Sequence, residues 1–388
     1  MSGLFDTPFL TAEGRHVHAF APGRTELAGN HVDHQQGRVL SAAVTRGIGA
    51  EAAPNGLRVI RVESRGFAPF AVDLSDLTPR TAEQNTSIAL VRGMAACFAQ
   101  AGIPLSGFDM RAQGTLPPGG GLSSSAAFEL LVGQIMNLLY AHGRQDAQTL
   151  AAWGKRVECD WFGKQCGLQD QTIVAHGGIA LMDFADPASP VLYPLDFDFE
   201  KAGFAVILVD THCDHSLHAD AFAQIPTDMQ RVARLFGREV LGPVDRVAFF
   251  AHLPQVRRQV GDRATLRALH FFREDDLVMR RVRALEEHDM AAFLKWTNAS
   301  GVSSAQYLQN VSEGGDDQPA MVALALADRV LDGRGAFRIH GGGFGGSIQA
   351  YVPLDVVDSF CAHMDEWLGA DSSLHLSLGA PGARAWWE

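Results

Sequence analysis

The chain has 388 residues, 47% of them hydrophobic and 20% charged, enough apolar material for a soluble two-lobed globular enzyme. A formal net charge of −12 argues against nucleic acid or an anionic membrane as partner, because both attract basic surfaces. Five scattered cysteines without CxxC spacing, a start unlike a secretory leader and no apolar run of roughly 18 residues point to a reducing cytoplasm.

In chain order, HVHAFAP alternates like a strand, GLRVIRVESR reads as another, and FAVDLSDL as its hairpin partner. SIALVRGMAACFAQAG spaces its apolar residues three and four apart and stops at Gly102, which predicts a helix. AFELLVGQIMNLLYAHG predicts a second, closed by His142-Gly143, and TLAAWGKRVECDWFG a third. Asp and Pro interrupt the chain in DFADPASPVLYPLDFDF, which sets a lobe boundary at about 185–200 and divides the chain into 1–190 and 191–388. Beyond it come a buried strand, AGFAVILVDT, several helices, and the closing pair AFRIHGGGFGGSIQAYVPL and DVVDSFCAHMDEWLG. Mixed strands and helices without regular βαβ alternation make the class α+β.

Three stretches carry chemistry. APGRTELAGNHVDHQQGRVL (Ala21–Leu40) crowds Arg24, Glu26, Asn30, His31, Asp33, His34, Gln35 and Gln36 into one glycine-punctuated bend. Asp33 accepts hydrogen bonds, Asn30 donates and accepts, and His31 does either, which is the mixture a polyhydroxyl ligand needs. LPPGGGLSSSAAFELL places Gly119, Gly120 and Gly121 before Leu122, Ser123, Ser124, Ser125 and Ala126 at a helix start. Glycines let the backbone approach a ligand, and the helix end offers unpaired N–H groups to a phosphate. The serines also read as helix caps, and the Gly-Lys-Ser/Thr ending of a Walker loop is missing. RIHGGGFGGSIQAYV contains GxGxxG at Gly341, Gly343 and Gly346, but the following residues alternate like a strand, so a dinucleotide-binding turn is excluded on context. A strand–loop–strand remains, its glycines either pressing on the phosphate loop or forming a plain bend.

These stretches, in this order, resemble the three motifs of the GHMP small-molecule kinases, the first looking like the galactokinase signature. VECDWFGKQCGLQDQ (Val157–Gln171) resembles the galactokinase segment with its metal-binding glutamate and catalytic aspartate. The resemblance runs from about Ala21 to Pro353. It implies a ribosomal-protein-S5-like N-terminal lobe, a ferredoxin-like C-terminal lobe and an active site between them. It implies ATP and Mg²⁺ as cofactors, Asp170 and Arg24 as catalytic residues, and Ser124 or Ser125 with Glu158 on the metal. The sugar would meet Asn30, His31, Asp33, Gly167 and Phe222. Gly119–Ala126 would hold the nucleotide, and Gly341, Gly342, Gly343 and Gly345 form the third motif. Taken alone, Asp170 also reads as a turn or capping residue and Glu158 as a surface carboxylate. If Arg24 lowers the pKa of Asp170 far enough, the carboxylate orients the hydroxyl and stabilises charge instead of acting as a base.

The expected reaction is transfer of phosphate to the anomeric hydroxyl of a monosaccharide, galactose first, by a monomer or weak homo-oligomer. Galactokinases usually carry an acidic residue at Asn30 and tyrosines at His34 and Phe222. Arabinose or galacturonate are therefore alternative acceptors, and a non-catalytic sugar and ATP sensor is the reading from another class. His212, Cys213, Asp214, His215, His218 and Asp220 form a His-rich loop whose spacing matches no closed metal site, so a solvated turn or pocket wall is preferred. Cys166 is read as a small packing residue.

Overall fold

Apolar–polar alternation and β-branched residues produce twelve strands among the described residues of this computed structural model, which are 16–388 apart from 118–120, 165, 214–218 and 345. In chain order they are β1 (Val17–Ala28), β2 (Arg38–Pro54), β3 (Val59–Ser64), β4 (Phe70–Asp73), β5 (Phe108–Gly114), β6 (Ile179–Asp183), β7 (Val191–Leu195), β8 (Phe204–Asp210), β9 (Ala336–Ile339), β10 (Ser347–Pro353), β11 (Ser373–Leu376) and β12 (Arg384–Trp387). The first sheet runs β12-β1-β2-β5-β3-β4, with β6 on β2 and β7 on β6. β2 is long enough to pair with β5 through Ile48–Pro54 and with β6 through Arg38–Ala42. The second sheet is antiparallel, in the order β11-β8-β10-β9.

The hairpin expected from residues 56–77 is β3–β4. The three early helices also form: α1 (Ser87–Gln100), α2 (Ser124–Ala141) and α3 (Ala147–Val157). α2 closes at His142, which turns left-handed so that the Gly143 N–H returns to the Asn137 carbonyl. The third helix ends earlier than its pattern suggests, because Glu158–Phe162 widens into a π-turn. Such bulges are frequent at functional sites. The segment 185–200, read as a lobe boundary, contains the tip of the β6–β7 hairpin. There Asp186 bonds the Ala188 and Ser189 N–H groups. The chain leaves the first sheet after Leu195, inside that segment, and β12 returns to pair with β1.

One face of the first sheet is covered by α1, α2, α3 and α4 (Gln169–His176), through Met94, Leu130, Ile135, Leu150 and Ile173 against Ala19, Ala50 and Met110. On a second core, Leu27, Leu40 and Val44 of the first sheet meet Val206, Leu208 and Tyr351 of the second, with Val278 and Val282 of the long helix Asp262–Glu286. The far face of the second sheet carries the helices Pro319–Leu331 and Val357–Leu368. The shared core matters for function, because it holds the third glycine-rich motif, between β9 and β10, against β1.

Candidate active site

The motif on β1 reaches the phosphate loop through a break in strand pairing. The β1–β2 register shifts between Pro22 and Gly23, and the Arg24 N–H bonds the Leu122 carbonyl at 3.1 Å. A Cβ on Gly23 would lie 2.6 Å from Leu116 Cδ2 and 2.9 Å from the Leu122 carbonyl oxygen, so only glycine admits this approach.

Arg24 then forms a bidentate ion pair with Asp170, Nε to Oδ1 at 2.6 Å and Nη2 to Oδ2 at 2.8 Å. Its third nitrogen bonds the Gly121 carbonyl. Ser123 Oγ donates to Asp170 Oδ2. That bond overturns the capping alternative for Ser123: it holds a left-handed backbone (φ 54°) at the start of α2 and makes no side-chain cap. Burial alone would push the Asp170 carboxyl up. Arg24, through charge and hydrogen bonds, the Ser123 hydroxyl and the Lys164 charge outweigh it and hold Asp170 below the usual carboxylate range.

Ser125 Oγ donates to Glu158 Oε1, and Gln171 Nε2 bonds Glu158 Oε2 at 3.1 Å. Glu158 is buried in the π-turn, so it is no surface carboxylate. Ser124, one residue earlier, is exposed. At the first turn of α2 the N–H groups of Ser124, Ser125 and Ala126 precede the first intrahelical bond, Ala127 N–H to the Ser123 carbonyl. Leu122 and Ala126 are buried beneath this turn. Gly119 and Gly120 lie outside the described residues.

Asp33 opens the short 3₁₀ turn after the left-handed His31. Its carboxylate fills the space beside Gly167: a Cβ on Gly167 would lie 1.5 Å from Asp33 Oδ2. Burial pushes the Asp33 carboxyl up to about 6; the His34 N–H opposes this, while the negative charge of Asp170 adds to it. The two aspartates therefore share one electrostatic environment. Gly167→Ala should overpack the site by about 1–3 kcal/mol, displace the Asp33 carboxylate and, if that strain falls on the bound state, weaken sugar binding by about 10–100-fold. Calorimetric titration checks it, and an unchanged dissociation constant would separate Asp33 from the sugar.

The other sugar candidates are engaged within the protein. Asn30 Nδ2 donates to the Gly341 carbonyl (2.5 Å) and Glu26 Oε1 (3.5 Å); Asn30 Oδ1 accepts from Asn310 Nδ2 (2.8 Å) and Ser304 Oγ (3.2 Å). All four bonding positions of the amide are occupied, so direct sugar contact through Asn30 is corrected to a docking role for the third motif. His31 and His34 form a relay in which one consistent set of tautomers satisfies every ring nitrogen. Gln35 Nε2–H donates to His34 Nδ1 (3.0 Å), His34 Nε2–H to His31 Nδ1 (3.3 Å), and His31 Nε2–H to the Gly342 carbonyl (3.0 Å). Burial keeps both rings neutral, lowering His31 to about 3 and His34 to about 4. Phe222 packs on His31 with ring centroids 5.2 Å apart, as a wall.

The third motif joins two antiparallel strands, as its pattern required. A Cβ on Gly121 would lie 2.9 Å from Ser347 Oγ and 3.0 Å from His340 Nδ1, so the residues flanking the motif do press on the phosphate loop. Gly343 packs on Asn310, while Gly345 lies outside the described residues. The ion pair Arg338–Glu26 locks β9, which leads into the motif, to β1 from inside, and the pair Arg281–Glu274 ties the helix Asp262–Glu286 to the end of β1 through the Leu27 carbonyl and the Gly29 N–H; all four side chains are buried. Sequence reading assigned no role to Arg338, Asn310, Gln171 or Glu129. Glu129 had a signal, since it lies four residues after Ser125 on one face of α2. Asp214, His215 and His218 lie outside the described residues, and His212 bonds Ser372 at 2.9 Å.

Residues 89–178 match the model for the GHMP kinases N terminal domain, and residues 4–54 match the galactokinase galactose-binding signature. A galactokinase of Streptomyces coelicolor is 30% identical over 356 residues, covering 90% of this chain and 88% of the relative. The chain belongs to the GHMP kinases, on their galactokinase-like branch. In fold it is similar to Lactococcus lactis galactokinase complexed with galactose (TM-score 0.81, 22% identity, 95% of this chain and 94% of that one). The mevalonate kinase of Methanococcus jannaschii superposes with a TM-score of 0.67 at 13% identity, over 94% and 99% of the two chains. The α+β kinase fold and ATP-dependent sugar phosphorylation follow from membership.

Proposed function

We propose that this sugar kinase transfers phosphate from ATP to the anomeric hydroxyl of galactose, with Asp170 and Arg24 at the reacting centre. The observation that carries the reading is the Arg24–Asp170–Ser123 cluster, set between the first turn of α2 and Asp33. In-line phosphoryl transfer needs positioned reactants and charge neutralisation more than covalent chemistry. The first turn of α2 supplies N–H donors for the phosphates, and Arg24 supplies a fixed cation beside the acceptor. Asp170 is held ionised, so it is a weak base: it aligns the hydroxyl and takes its proton only as the new oxygen–phosphorus bond forms. Asp33, partly open beside Gly167, is the acceptor for sugar hydroxyls.

The Ser125 hydroxyl and the Glu158 carboxylate fit a hard divalent cation, which prefers oxygen ligands. They would hold Mg²⁺, whose chemistry is to neutralise the nucleotide's terminal phosphates. No helix among the described residues is long and apolar enough to cross a membrane. We place the enzyme in the cytoplasm, as a monomer or weak homo-oligomer.

The test is a panel of free sugars with Mg-ATP, following ADP release. Galactose turnover is the expected result, in keeping with galactokinase relatives and the galactose-binding signature. Turnover of arabinose or galacturonate alone would assign the acceptor to a pocket altered at His34 and Phe222, with Asn30 acting through the third motif that it holds. Silence with retained sugar binding would make the protein a sensor. The pH profile gives an independent check. Asp33 ionises at about 6, so its acceptor role is present above that pH and lost below it. The kcat/KM for the sugar should fall about tenfold per unit below pH 6. A flat profile down to pH 5 would remove Asp33 from sugar binding.

A further inference from the structure

Behind the Ser125–Glu158 pair, two buried polar groups are left incomplete. Glu129 and Gln171 are both 0% exposed. Gln171 Nε2 donates to Glu129 Oε1 at 3.0 Å and to Glu158 Oε2 at 3.1 Å, so one amide bridges two carboxylates. Among the described residues, Glu129 Oε2 and Gln171 Oε1 have no hydrogen-bond partner. A buried acceptor left this way loses its hydration with nothing in return, so it needs a donor. If Glu129 were ionised, both atoms would be acceptors and neither could satisfy the other.

We propose that Glu129 is a positioning residue for the cation site: as a neutral acid it closes a two-bond pair with the Gln171 amide and thereby fixes Glu158. In that pair Glu129 Oε2–H donates to Gln171 Oε1 while Gln171 Nε2 donates back to Glu129 Oε1. The second hydrogen of the amide then points only at Glu158 Oε2. Without the acid, the amide is free to flip and turn its oxygen toward a carboxylate that repels it. The surroundings agree. Burial, with the charge of Glu158 adding, pushes the Glu129 carboxyl well above its usual range. A Cβ on Gly154 would lie 3.0 Å from both Glu129 Oε1 and Gln171 Cγ, so the backbone of α3 closes tightly over the pair. Groups that orient a metal ligand change metal affinity by about 10–100-fold when removed.

The inference rests on Ser125 and Glu158 as cation ligands, and the test separates the two claims. At pH 8 the infrared spectrum should show the carbonyl band of a buried protonated carboxylic acid, absent in E129Q; no band in the wild type overturns the neutral pair. For the cation, Mn²⁺ is titrated with ADP present and followed by electron paramagnetic resonance. E129Q, which can form the same two bonds, should bind Mn²⁺ within about threefold of wild type. E129M should bind about 10–100-fold more weakly, with sugar KM unchanged. Q171M should reproduce E129M, and the double variant should be no worse than either single. If E129M fails to fold, Q171M carries the same readout. Wild-type Mn²⁺ affinity in E129M or Q171M overturns the proposal, as does an E129Q variant as weak as E129M. A wild type that binds no Mn²⁺ refutes the ligand assignment while leaving the infrared result to judge the pair.

Discussion

Asp170→Asn should lower kcat by about 10³-fold while sugar affinity stays within about tenfold. The substitution keeps the shape of the side chain and a partner for the Ser123 hydroxyl. It removes the charge that Arg24 holds in a bidentate grip and the acceptor for the hydroxyl proton. Sugar affinity survives because Asp33 and Gly167 are untouched. Steady-state kinetics with both substrates saturating measure the first quantity, and calorimetry the second. Because the carboxyl of Asp170 lies below its ordinary range, its contribution is present at all higher pH values and is lost only as pH falls through that lowered pKa. Wild-type kcat should thus stay level from neutral pH to well below pH 6, where kcat/KM for the sugar is already falling. A variant with wild-type kcat would remove Asp170 from the reaction.

Arg338→Met should destabilise the fold by about 3–5 kcal/mol, measured as the shift of a urea unfolding curve. Arg338 is fully buried on β9; it bonds Glu26 Oε1 and, at 3.3 and 3.2 Å, the carbonyls of Glu26 and Leu27. Removing it leaves the buried Glu26 carboxylate without its cation, with the 3.5 Å contact from Asn30 Nδ2 remaining. Much of the loss should return in the double variant Glu26→Gln/Arg338→Met, since the penalty comes from the unpaired charge. A loss below about 1 kcal/mol would mean that water reaches Glu26.

Local chemistry was readable wherever neighbours in sequence decide the outcome. The β3–β4 hairpin, the three early helices and the rejection of a dinucleotide turn at Gly341–Gly346 all follow from periodicity within a few residues. Two segments carry structure that their local pattern does not show. The Asp/Pro-rich tip between β6 and β7 looks like a linker, and the π-turn at Glu158 looks like continuous helix. The first is the tip of a hairpin whose strand β6 also pairs with the distant β2, and in the second Glu158 turns toward Ser125 and Gln171.

The sequence by itself determined the inventory: which residue types occur in the Ala21–Leu40 bend, at the triple serine and around Asp170, and hence the class of chemistry. Tertiary structure decided which of those polar groups remain for a ligand. Glu26, Asn30, His31 and Gln35 satisfy partners on Arg338, Asn310, Gly342 and Leu241, hundreds of positions away. Arg24 and Asp33 instead converge on Asp170 and Gly167. A buried hydrogen-bonding group must find a partner, and a linear pattern gives its need without saying whether the protein or the substrate meets it.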